Sequence, residues 1–198
     1  MKRLICVAAL AASAALAQDA GPADKAAAPA DTSAAAADKA AAPAAEMPKP
    51  PEEMSIERWF VGRWNCKGQQ YAGPMGPEMK VSSRLEMTLE LGGFWLQIKG
   101  TATSGPMKGK QTFDSFASFD GSQHQRYNFQ PGGMSRMSSK GWDGNDLVFE
   151  GEGMLGGQKM LLRHTITKKG ENEFGSLFES DGKTMSDLTC TRAGGARK

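Results

Sequence analysis

The chain has 198 residues, 39% of them hydrophobic, with a formal net charge of +2, three cysteines and 24 glycines. That length holds one or two ordinary domains. So small a charge gives no basis for a nucleic-acid or strongly anionic membrane partner.

Met1-Lys2-Arg3 opens the chain, residues 4–16 are apolar, and Ala15-Leu16-Ala17 has the small-x-small form of a signal-peptidase site. Residues 1–17 therefore read as an export signal. The alternative is a buried N-terminal helix, which the abrupt change of composition after residue 17 disfavours. The stretch is well short of the ~20 residues a spanning helix needs, and no later segment replaces it, so the expectation is an exported protein, periplasmic or secreted and not membrane-spanning. Cys6 would leave with the leader. Removing Lys2 and Arg3 leaves 22 basic residues against 22 acidic ones, and a neutral mature chain suits an uncharged ligand better than a polyanion. The two remaining cysteines, Cys66 and Cys190, suit an oxidising compartment.

Residues 18–50 are mostly Ala, Pro, Asp and Lys, and the octet Ala23-Asp24-Lys25-Ala26-Ala27-Ala28-Pro29-Ala30 recurs from Ala37 to Ala44. With no large side chains to bury, this segment cannot offset the entropy of ordering, and it reads as a disordered tether. Residues 51–198 carry the folding domain. Ser55 is placed to cap a short helix through Ile56-Glu57-Arg58-Trp59-Phe60. Glycine-punctuated segments follow, of which residues 83–91 are the clearest, with Leu85, Met87, Leu89 and Leu91 on one face of a strict alternation. Further strands are predicted at 63–71, 94–101, 111–119, 125–129, 135–142, 146–151, 159–167, 173–178 and 185–192. They are joined by turn sequences such as Asp120-Gly121, Gly156-Gly157 and Asp181-Gly182. About ten sequential antiparallel strands after one short helix fit an all-β, up-and-down barrel, whose closure removes exposed edges. A β-sandwich is the alternative.

Two features favour closure. Cys66 lies on the first predicted strand and Cys190 on the last, neighbours in a closed sheet, so a disulfide would staple the seam; two free core thiols are the other reading. Gly62-Arg63-Trp64 opens the first strand and Arg192 ends the last, which lets the indole plug one barrel end under a cation–π contact from the guanidinium. This pairing of Gly-x-Trp with a basic residue from the closing strand resembles the barrel-end signature of the calycin superfamily, which contains lipocalins, fatty-acid-binding proteins and nitrobindins. Together with Leu91-Gly92-Gly93-Phe94, Phe149-Glu150-Gly151-Glu152-Gly153, the run from Lys159 to Thr167 and Thr189-Cys190-Thr191-Arg192, it resembles the bacterial domain of unknown function 1579, a lipocalin-like family, over residues 58–192. The resemblance implies a β-barrel without established activity.

Along the strand from Lys159, alternation places Met160, Leu162 and His164 on one apolar face. With Leu85, Met87 and Leu89 they are the candidate lining of a ligand cavity. His164 is also the one candidate for a haem ligand; otherwise it is a core histidine satisfied by a neighbouring polar group. Nitrobindins hold haem through a histidine near the chain end, and here the strand 185–192 has none. His124 follows a turn and is expected to be exposed. Two histidines and a paired set of cysteines assemble no four-ligand zinc site. Met134 and Met137 are spaced to face opposite ways, which does not suit thioether copper binding. Glu150 and Glu152 share a face expected to be solvated, and no catalytic residue is assigned. The leading expectation is non-enzymatic binding of a small apolar or amphipathic molecule. A structural or interaction module with a filled barrel is the alternative, and a haem- or metal-dependent redox protein the third reading.

Overall fold

In the computed structural model the structure describes residues 48–74 and 76–194. The expected leader, and all of the tether but its last three residues, lie outside them. A single 3-10 turn, Glu52–Met54, leads into helix α1, Ser55–Phe60. Ser55 is the first helical residue and not the cap: Met54 holds the N-cap position and no side chain caps the helix. The preceding turn delivers the chain already helical, which makes a side-chain cap unnecessary.

Eleven strands follow: β1 Gly62–Gln70, β2 Met79–Glu90, β3 Trp95–Ala102, β4 Gln111–Phe119, β5 His124–Gln130, β6 Gly133–Ser139, β7 Trp142–Asp143, β8 Asp146–Leu155, β9 Gln158–Gly170, β10 Glu173–Ser180 and β11 Lys183–Arg192. Sequential neighbours other than β6 and β7 pair antiparallel, and two further pairings, β1 with β11 and β6 with β8, join the sheet into a ring. The result is a closed ten-stranded barrel plus the two-residue β7. Residues 135–142, expected as one strand, divide because Gly141 takes a left-handed φ of 107° and turns the chain before Trp142. Strand β2 ends one residue earlier than expected, at Glu90, since Leu91 has a φ of 48° and opens a 3-10 turn.

Glycines make both ring-closing pairings close. A Cβ on Gly151 would lie 2.1 Å from the Arg136 carbonyl oxygen across β6 and β8, and one on Gly68 would lie 2.0 Å from that of Asp187 across β1 and β11. At the second seam Cys66 and Cys190 are register partners joined by a disulfide. Trp64 pairs with Arg192, whose guanidinium sits 4.1 Å from the indole ring centroid and donates to the Val61 and Trp59 carbonyls at 2.6 and 2.9 Å. Trp64 is fully buried and donates its own N–H to the Phe60 carbonyl at 2.7 Å. Trp59, Phe60, Trp142 and Phe174 complete an aromatic plug over this end. Among the described residues no helix is long and apolar enough to cross a membrane.

Candidate functional site

Beyond the plug the inward faces of the strands enclose a cavity of about 240 Å³. Leu85 and Met87 of β2 and Met160, Leu162 and His164 of β9 line it, as the alternations in those strands require. Leu89, the remaining predicted lining residue, does not. Met87 already pairs with Gly62 at the start of β1, so Leu89 lies beyond it at the plugged end, half-buried against the core. Met137 is buried and Met134 half-exposed, as their odd spacing on β6 requires, although both contribute to the cavity lining. Flexible thioethers from Met87, Met137 and Met160 give an adaptable apolar wall. Met134 and Met154 are half-exposed register partners that also line the cavity, which marks where it meets solvent.

Part of the lining is polar: serines from several strands contribute, and strand β5 adds Arg126, Asn128 and Gln130. Its inward positions are His124, Arg126 and Asn128, while Tyr127 and Phe129 point outward. Asn128 accepts from the Ser115 hydroxyl at 2.6 Å and donates to the Ser135 hydroxyl at 2.9 Å. Arg126 is 4% exposed, stacks 4.0 Å from the Phe149 ring centroid and donates to His164 Nδ1 at 2.9 Å. Since Nδ1 accepts, the neutral ring carries its proton on Nε2, which donates to the Ser176 hydroxyl at 2.9 Å. Burial, and secondarily the Arg126 charge, push His164 down to a pKa of about 3. Burial also lowers Arg126, to about 10, against an opposing pull from Glu57, so its guanidinium stays charged at neutral pH.

This chain of donors decides what His164 can do. A serine nucleophile needs a histidine lone pair facing its hydroxyl; here the ring gives Ser176 an N–H instead. A haem iron would need such a lone pair as well; in this arrangement Nδ1 accepts from Arg126 and Nε2 donates to Ser176. Buried and neutral, His164 also couples folding to pH. Between its folded value of about 3 and the ordinary 6.5 the unfolded chain binds the extra proton. Stability is therefore expected to fall as pH drops through that window, by up to ~1.4 kcal/mol per unit. His164→Gln should flatten the dependence in urea unfolding midpoints measured from pH 7 to 4.5; equal slopes for the two proteins would count against this origin.

His124, expected at the surface, is buried. Its Nδ1 lies 2.8 Å from Oε1 of Glu57 on α1, and both side chains are buried. The outward Glu150 and Glu152 do face solvent, paired with Arg163 and Lys159. Among the described residues no three His, Cys, Asp or Glu side chains converge. Arg126, Asn128 and Ser176 were not legible as site residues. The available signal was a strand whose alternate positions are polar and hydrogen-bonding, inverted relative to its neighbours.

No family model matches the chain, and no curated protein matches it. One of the similar solved structures shares the fold. A protein of M. tuberculosis, Rv2717c, superposes with a TM-score of 0.54 at 11% identity, over 73% of this chain and 99% of that one. A mutant of the fluorescent protein UnaG scores 0.40 at 13% identity, over 70% of this chain and 99% of that one. A redesigned β-barrel scores 0.37 at 10% identity, over 69% of this chain and 94% of that one. The likeness extends to the fold, a closed antiparallel β-barrel.

Proposed function

We propose that the protein is a non-enzymatic binder of a small apolar or amphipathic molecule held inside the barrel. The cavity carries this reading. At about 30 Å³ per water, a volume near 240 Å³ exceeds the few waters a filled barrel would leave, and its largely apolar wall favours an organic occupant. It lies just below the ~300–1,000 Å³ of sites that bury drug-sized molecules, so the ligand is small. Export to the cell envelope fits the leader-like residues 1–17 and the Cys66–Cys190 disulfide. Membership of the family of the domain of unknown function 1579 rests on the motifs and their order.

A ligand that binds only the folded state raises its melting temperature. Straight-chain amphiphiles of six to twelve carbons are expected to do so for the full chain. Leu85→Trp, which fills the cavity, should abolish the shift. If no member of the series moves the melting temperature, the binding reading is wrong and a filled structural barrel takes its place.

A further inference from the structure

We infer that Arg126 is the head-group site of this cavity and that the ligand is a monoanionic amphiphile, of the class of medium-chain aliphatic carboxylates. The inference rests on the reading of the barrel as a ligand-binding protein and goes on to name the ligand's chemistry. A buried charge is costly unless it is paired. Among the described residues the hydrogen-bond partner of Arg126 is the neutral His164, its Nε is buried without a partner, and no carboxylate forms an ion pair with it. Glu57 has its hydrogen-bonded oxygen on His124, and its other oxygen is itself buried and unpaired.

The guanidinium is also held in one orientation. Phe149 covers a ring-stacking face and His164 takes one Nη, so the planar fork is fixed before any ligand arrives. A fork of this kind matches a carboxylate in two parallel hydrogen bonds. Asn128 and Ser135 extend the polar side of the wall, and Leu85, Met87, Met160 and Leu162 receive an alkyl tail. Apolar cavities of ~150 Å³ take a benzene, so about 240 Å³ scales to roughly ten heavy atoms, the size of octanoate. A small hydrophilic anion would satisfy Arg126 but leave the apolar wall unfilled. The neutral ligand suggested by the balanced net charge would leave Arg126 unpaired.

The test is calorimetric titration of the full chain at pH 7 with octanoate, 1-octanol and octyltrimethylammonium. Octanoate should bind at least about tenfold more tightly than 1-octanol, the effect of one charge-assisted hydrogen bond, with the cation weakest. Arg126→Gln should reduce octanoate affinity at least about tenfold and leave 1-octanol within about twofold. If 1-octanol binds as tightly as octanoate, or R126Q keeps the preference, the head-group inference fails while the cavity reading stands. If none of the three binds, both fail. Should R126Q not fold, the wild-type ratio of octanoate to 1-octanol decides alone.

Discussion

Replacing both Cys66 and Cys190 by alanine is expected to lower the unfolding free energy by about 5 kcal/mol. The bridge closes a loop of sequence separation 124, and the entropy it removes from the unfolded chain grows with the logarithm of that length. Both cysteines are 1% exposed, and alanine adds no buried hydroxyl that would need a partner. For a domain of this size the loss corresponds to a fall of about 10–20 °C in melting temperature, a large part of the ~5–15 kcal/mol that holds an ordinary domain together. Urea and thermal unfolding of the oxidised wild type against the double variant measure it directly. A difference below ~1 kcal/mol would mean that the unfolded chain is already held compact by other contacts and that the bridge adds little.

The second large effect is expected at the contact between α1 and β5. Glu57 and His124 are 2% and 3% exposed, and their 2.8 Å contact has no solvent to replace it. Truncating either one strands the other in a buried site, so Glu57→Ala and His124→Ala should each cost about 3–5 kcal/mol. The double variant should cost less than the two together, with a coupling of about 1–3 kcal/mol in a double-mutant cycle. Strict additivity would show that each residue acts through packing alone.

Both pairs bear on how much of this molecule a reader of the sequence could see. The barrel itself was legible, because Leu85, Met87 and Leu89 alternate cleanly and Asp181-Gly182 and Gly156-Gly157 take the positive φ values of tight hairpins. The seam was legible as well, since cysteines and a Trp–Arg pair at the first and last strands become neighbours only if the sheet closes. Strand β5 was not. Alternation reports that two faces differ, and the usual assumption that the apolar face is the inner one would have put Tyr127 and Phe129 inside. In a barrel with a partly polar lumen that assumption reverses: Arg126 and Asn128 line the cavity, and His124 is buried against Glu57. Glu57 was hidden for a related reason: a single helical turn is too short for periodicity to say which face is covered. Leu89 shows the converse limit, since alternation gives its face correctly but not its height along the barrel axis.

The disulfide across the β1–β11 seam also determines what a single cut can do to this molecule. Every hairpin turn of the barrel, from the one after β1 to Asp181-Gly182 before β11, falls between Cys66 and Cys190. Breaking the backbone at any of them yields two fragments still joined through sulfur, one beginning and one ending at the same stapled seam. A protease acting on the exposed Gly156-Gly157 turn would thus nick the barrel without releasing a strand, and the break would show as two bands only after reduction.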